Sequence, residues 1–251
     1  MTLSGRVVLV TGASSGIGQA IALACGRAGA DLAITYWKER AKAESVAESM
    51  RSIGRRVTVL QLDLGDPASI IALASAARET FGRVDAWINN AGADVLTGSG
   101  ANASVQEKLD RLLTVDLKGT ILASWAAADL IGRQESGGVI INMSWDHVLT
   151  GMEGKNPEMF AAVKGGVLSF SKSLARSVAP RVRVNVLAPG WIDTAFAHGL
   201  DADRRRQVSE STPLQRWGTP EDVAGAAVYL ASPAAAFLTG QTILINGGVV
   251  M

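Results

Sequence analysis

The chain contains a single cysteine, Cys25, so it cannot close an intrachain disulfide, and a reducing compartment is expected. Cys25 falls within a helical pattern and reads as a small buried residue. Neither sign of charge is in real excess: 24 Lys and Arg face 23 Asp and Glu. The formal net charge of +1 gives no electrostatic basis for binding nucleic acid or an anionic membrane. No apolar run is long enough to cross a bilayer, and the opening MTLSGRVVLVTG lacks a secretory hydrophobic region and cleavage pattern. A cytoplasmic location is the expectation. Charge runs, low-complexity linkers and short internal repeats are also missing, and no metal-ligating cluster is read. Residues 1–251 are therefore expected to form one domain, with 48% hydrophobic and 19% charged residues placing it among globular proteins.

What is present is an alternation. Short β-branched or aliphatic runs recur at 6–10, 31–36, 56–62, 84–89, 138–144, 181–189 and 241–247, and read as seven strands. Alanine-rich stretches with helical spacing separate them, at 16–29, 41–53, 68–80, 104–131, 158–178 and 220–231. The expected fold is α/β: a Rossmann-type, doubly wound, seven-stranded parallel sheet with helices on both faces. Segment 193–217 breaks the rhythm, being long and polar after the sixth strand. It reads either as a substrate-side lid or as an ordinary surface helix with loops.

The first strand leads into Thr11-Gly12-Ala13-Ser14-Ser15-Gly16-Ile17-Gly18 and then an apolar helical pattern. Gly12 permits a sharp exit from the strand, and Gly16 and Gly18 let the backbone and the next helix approach a pyrophosphate closely. Helix N-terminal amides would stabilise the phosphates. About twenty residues further on, an acidic side chain would hold an NAD ribose. None stands directly at the end of the second strand; Lys38 and Arg40 are placed to meet a 2′-phosphate, with Ser14 and Ser15 as hydroxyl partners. NADP(H) is the preferred cofactor on this reading, and NAD(H) is not excluded.

The chain resembles the short-chain dehydrogenase/reductase family, in particular its ketoacyl carrier-protein reductase branch. The resemblance rests on TGASSGIG at 11–18, DLGD at 63–66, NNAG at 89–92, VDLKG at 115–119, Lys164 in FAAVKGG and NVLAPGWIDT at 185–194. TPLQRWGTPEDVA at 212–224 and LTGQTILINGG at 238–248 extend it nearly end to end. It implies that Asp63 and Leu64 contact adenine. Asn90, Ala91 and Gly92 would line the adenosine-ribose side, and Pro189, Gly190, Ile192 and Thr194 would face the nicotinamide end. It also implies a homodimer or homotetramer built through the long central helices and the last strand, and a small-molecule substrate.

The catalytic pattern of that family is not kept. Its reaction needs a proton for the substrate oxygen, normally supplied by a Tyr four residues before the Lys, and here that position is Phe160, which has no ionisable hydroxyl. Asp116 stands where the family has Asn; if it lies near Lys164, an ion pair follows. Alignment on GVIINMS puts Trp145 at the substrate-binding Ser position, just after Ser144, whereas counting back from Phe160 puts His147 there. The stretch 145–158 thus holds a small insertion. His147 is the leading replacement acid, since an imidazole titrates near neutral pH. Asp146, Ser144 and Tyr229 are weaker alternatives. Trp145, Phe160, Trp191 and Phe196 would give an aromatic pocket suited to a flat apolar substrate, unless they only fill a lost site. Two functions follow: an NADPH-dependent carbonyl reductase with a non-standard proton donor, or a catalytically inactive or non-redox relative acting as a cofactor-binding or partner protein.

Overall fold

The computed structural model describes residues 2–251. Its strands are β1 (Val7–Val10), β2 (Asp31–Tyr36), β3 (Val57–Gln61), β4 (Ala86–Asn89), β5 (Gly138–Met143), β6 (Val182–Pro189) and β7 (Thr242–Ile245). They form one parallel sheet in the order β3-β2-β1-β4-β5-β6-β7. The Rossmann-type expectation of seven parallel strands is met.

Side chains alternate along each strand, so each strand supplies both faces of the sheet. Val8, Val10, Leu32, Ile34, Ile88 and Ile141 pack on one face, beneath α1 (Gly16–Arg27), α2 (Arg40–Arg51) and α10 (Pro220–Ala231). Leu9, Ala33, Trp87, Ile140 and Val184 pack on the other, beneath α3 (Pro67–Phe81), α6 (Thr120–Gly132) and α7 (Lys155–Val178). Cys25 is buried in the first layer, and that burial pushes its thiol up to about 12.

Local signals set the helix limits. Asp66 accepts from the Ala68 amide ahead of Pro67 at the start of α3, and Gly82 ends that helix with φ +76°. The expected helix over 104–131 is helical throughout but not uniform. It comprises α5 (Val105–Arg111), a π-helical segment (Leu112–Gly119) and α6, preceded by the short α4 (Gly98–Ala101). Wider π turns are rare and cluster where a side chain must be re-aimed; Asp116 sits in this one. Segment 193–217 contains α8 (Ala195–His198) and α9 (Ala202–Ser211).

Because every strand is parallel, every strand–helix loop opens on the same edge. The strand order reverses between β1 and β4, and the crevice outside the carboxyl ends at that point is where such sheets receive ligands.

Candidate active site

The turn after β1 is pressed against the end of β4. Gly12 has φ +66°, and a Cβ there would lie 2.9 Å from the Ala91 Cα. A Cβ on Gly18 would lie 2.2 Å from the Gly12 carbonyl oxygen and 2.4 Å from Asn90 Nδ2. Asn90 Nδ2 donates to the carbonyls of Thr11 (3.0 Å) and Gly12 (3.2 Å), while Thr11 Oγ1 accepts from the Asn90 and Ala91 amides (3.0 Å each). The Gly12 amide donates to Thr35 Oγ1 at 3.0 Å. Asn90 and Ala91 therefore hold the turn, and Thr11 and Thr35 share that task. At its far side α1 begins with no side-chain cap from Ser15 and no acidic residue in its first turn. A bare helix N-terminus behind a cradle with no room for a Cβ fits a pyrophosphate.

At the end of β2, Lys38 Nζ rests 3.8 Å from the Trp37 ring centroid, and Arg40 opens α2 with its Nε 4.0 Å from Glu44. Both cations are exposed. Glu39 is turned to Lys42 Nζ, 3.2 Å away. After β3, Asp63 is exposed and accepts from the Gly65 amide (2.8 Å), whereas Leu64 is buried beneath Gly119.

Beside the turn a cleft of about 640 Å³ is lined by Ile17, Asn90, Gly92, Asp116, Ser144, Lys164, Pro189, Gly190, Ile192 and Thr194, so these candidates come together. Gly12, Ser14, Ser15, Gly16, Gly18, Lys38, Arg40, Asp63, Leu64 and Ala91 belong to the turns outside this cleft. On its floor Lys164 Nζ lies 2.9 Å from Asp116 Oδ2, both side chains being buried. Asp116 Oδ1 accepts from the Ala93 amide at 2.7 Å. The contact that the sequence made conditional on proximity is thus present. Gly92 is needed for it, since a Cβ there would fall 2.8 Å from Asp116 Oδ2. Lys164 Nζ also sits 5.4 Å from the centroid of the Phe160 ring, within cation–π range.

The four proton-donor candidates are engaged elsewhere or lie outside the cleft lining. Ser144 Oγ donates to the Lys164 carbonyl at 2.8 Å, so its proton ties β5 to α7. Tyr229 packs on α10 against the core and does not line the cleft. His147 does not line the cleft either, which corrects its expected place beside the reacting carbon. Its ring stacks on Trp145 (4.9 Å) and meets Trp191 edge-on (6.2 Å), and its Nδ1 lies 2.7 Å from Asp146 Oδ1. Asp146 is fully buried, and its Oδ2 packs against Gly190 with no hydrogen-bond partner among the described residues. The cause is a single turn of 3₁₀ helix at Asp146–Val148 after β5, which folds the His back while Trp145 faces the cleft. Trp145, Phe160, Trp191 and Phe196 all line it, as the aromatic reading expected.

Sequence reasoning missed a buried relay behind the floor. Asn89 Nδ2 donates to Asn142 Oδ1 (2.8 Å) and Ser124 Oγ (3.0 Å), and Asn142 Nδ2 donates to Ser171 Oγ (2.9 Å). It ties β4, β5, α6 and α7 together under Lys164. Its signal was an asparagine at the end of each of two otherwise apolar strands. The cleft-lining Arg204 of α9 was also missed.

The turn, the open carboxyl edge and the cleft define an α/β protein with a dinucleotide-type cradle. A family model described as Enoyl-(Acyl carrier protein) reductase matches residues 12–250. The chain is 35% identical over 250 residues to L-rhamnose 1-dehydrogenase (NAD(P)(+)) of Sphingomonas sp. strain SKA58, covering 98% of this chain and 97% of that one. It is 34% identical over 252 residues to the 3-oxoacyl-(acyl-carrier-protein) reductase FabG of Escherichia coli K12, covering 100% of both. The short-chain dehydrogenase/reductase from Serratia marcescens BCRC 10948 superposes with a TM-score of 0.89 at 31% identity, over 100% of each chain. This chain belongs to the short-chain dehydrogenase/reductase family of oxidoreductases. Among the described residues, no helix is long and apolar enough to cross a membrane.

Proposed function

We propose that this protein is an NADP(H)-dependent carbonyl reductase in which Lys164, paired with Asp116, handles the proton that a tyrosine handles elsewhere in the family. The observation that carries the reading is the Lys164–Asp116 pair on the floor of the cleft. The cradle at Gly12, Gly16 and Gly18 would hold a dinucleotide, whose nicotinamide would supply hydride chemistry at the cleft when bound. An ammonium has three N–H donors, and Asp116 takes one, leaving the others for the substrate oxygen or a ribose hydroxyl. As negative charge develops on that oxygen, a Lys164 proton passes to it, because an alkoxide is a far stronger base than an amine. Asp116 and Ala93 hold the Lys164 head in place, and Phe160 keeps one side of it apolar. Pro189, Gly190, Ile192 and Thr194 form the nicotinamide side of the cleft.

The preference for NADP(H) rests on Lys38 and Arg40, exposed at the end of β2 while Glu39 is engaged by Lys42. Segment 193–217 supplies Thr194, Phe196, Leu200 and Arg204 to the cleft and is read as its cover. It is fastened by a bidentate Arg205–Asp193 pair and by Trp217 Nε1 donating to the Arg205 carbonyl at 2.9 Å. Trp125, exposed on α6, supports assembly with further copies of the chain.

The test combines calorimetric titration with NADPH and NADH and NADPH oxidation against ketones, quinones and ketoacyl thioesters. Tighter binding of NADPH is expected. Lys164→Met should cut turnover by roughly a hundred- to ten-thousand-fold, the usual contribution of a general acid, while His147→Ala leaves it within a few-fold. Tight NADPH binding with no turnover by the wild type, and turnover gained by Phe160→Tyr, would overturn the reading. It would instead indicate a cofactor-binding protein whose redox chemistry is gone.

A further inference from the structure

Four charged residues line the cleft: Asp94, Asp116, Lys164 and Arg204. Three of them are answered from within the chain. Asp116 and Lys164 answer each other. Asp94 accepts from the amides of Leu96 (3.1 Å) and Thr97 (2.8 Å) and from the Thr97 hydroxyl. Burial pushes its carboxyl up, but those bonds and the nearby Arg111 together hold it below the usual range.

Arg204 is the exception. It is one of three consecutive arginines on α9, and its neighbours are engaged: Arg205 with Asp193, and Arg206 with Asp203 (2.6 Å) and Glu210 (3.9 Å). The Arg204 guanidinium reaches only Gln207 Oε1, at 3.5 Å, and forms no ion pair among the described residues. The nearby Asp201 carboxylate is spent on capping the Arg204 amide at 2.7 Å. Among the described residues, the cleft therefore presents one cation, the solvent-exposed Arg204, with no internal anion.

The rings between the two cations describe the rest of the ligand. From Lys164, ring contacts run to Phe160, then Trp145 (5.4 Å), His147 and Trp191, and on to Phe196 of α8, which stacks on Trp191 at 6.3 Å with 17° between planes. The chain of contacts thus leads from the floor of the cleft to the segment that carries Arg204. Parallel and edge-on rings favour a flat apolar body, and a guanidinium favours a carboxylate taken bidentately.

We infer that Arg204 anchors an anionic group of the substrate, and that the substrate class is an apolar, preferably aromatic, carbonyl compound bearing a carboxylate away from the carbonyl. This rests on the reading of the cleft as a carbonyl-reducing site. It adds a specificity-determining residue that the reaction itself does not require.

The experiment uses the full-length protein saturated with NADPH and two probes, 5-oxo-5-phenylpentanoate and its methyl ester. Binding is followed by calorimetry, and turnover by NADPH oxidation. The wild type should bind the acid about tenfold more tightly than the ester, the order of one partly exposed charge-assisted contact. Raising the salt concentration should shrink that difference. In Arg204→Gln the difference should vanish while ester affinity stays within about twofold, and Arg204→Lys should restore part of it. No acid-over-ester difference in the wild type, or its survival in Arg204→Gln, overturns the inference. The two readings fail separately. Acid binding that depends on Arg204 without turnover of either probe keeps the anchor and removes carbonyl reduction. Equal reduction of both probes by wild type and Arg204→Gln keeps carbonyl reduction and removes the anchor.

Discussion

Asp116 is bound on two sides and crowded on a third. Its oxygens meet the Lys164 ammonium and the Ala93 amide, and the space above Oδ2 exists only because residue 92 is glycine. Gly92→Ala would place a carbon 2.8 Å from that oxygen, so the carboxylate must turn and weaken a buried ion pair. The expected cost is about 1–3 kcal/mol of stability, the usual range for overpacking, read from the denaturant midpoint. In an Asp116→Ala background the clash disappears, and the same change should cost under about 0.5 kcal/mol. Equal costs in the two backgrounds would mean that Gly92 is not there for Asp116. Phe160, Asp116 and Trp145 could be singled out in the sequence because each is one side chain within a readable motif, and all three line the cleft. The withdrawal of His147 from the cleft was not legible, because it depends on how the inserted loop turns after Trp145. Arg204 was hidden for a related reason: its significance lies in what its neighbours on α9 are already paired with.

At the scale of elements, most helix starts fell within a residue of their expected positions. Thr219-Pro220-Glu221-Asp222 begins α10 where expected, with Thr219 Oγ1 accepting from the Asp222 amide and Asp222 Oδ2 from the Thr219 amide. Helix α7 begins at Lys155, three residues ahead of the apolar pattern at 158, and the π-helical segment was invisible, since its residues have the periodicity of an ordinary helix. The start of α10 also carries a pH dependence. Hydrogen bonds from Arg216 are the largest influence on Asp222; partial desolvation opposes them, and the Thr219 bonds and the Arg216 charge add to them, lowering the carboxyl from 3.8 to about 2. A depressed carboxyl contributes stability that is present above its unfolded value, near 4, and is lost as pH falls through about 2. The group is about a third exposed to solvent, and after screening the contribution is at most about 1 kcal/mol. Asp222→Asn should therefore lower Tm by about 2–4 °C at pH 7, and the gap to wild type should close as the pH approaches 2. A gap unchanged across that window would assign the effect to packing of α10 on α1 rather than to charge.

For the whole molecule, the alternation of strands and helices made the seven-stranded sheet legible, because a parallel sheet covered on both faces accepts few other orders. The resemblance pointed to the central helices and the last strand as contact surfaces, but which side chains there stay exposed is decided only when the helices pack. Trp125 on α6 is 55% exposed and meets Phe170 of α7 edge-on at 6.1 Å, so the two long central helices share an aromatic ridge. Leu113 of the π-helical segment is also exposed, and Phe237, shortly before β7, is fully so. Contiguous exposed apolar surface, unlike a single scattered side chain, marks an interaction site. If the central helices join copies of the chain, Trp125 lies where a buried anchor would carry much of the binding energy. Light scattering coupled to size exclusion should then find the wild type as a dimer or tetramer. Trp125→Glu, which buries an unpaired carboxylate in any such interface, should shift it toward smaller species at micromolar concentration. NADPH affinity should stay unchanged, because the cradle at β1 and α1 does not include this ridge. A wild type that runs as a monomer, or a Trp125→Glu variant that keeps its size while Phe237→Glu loses it, would move the interface from the central helices to the edge of the sheet at β7.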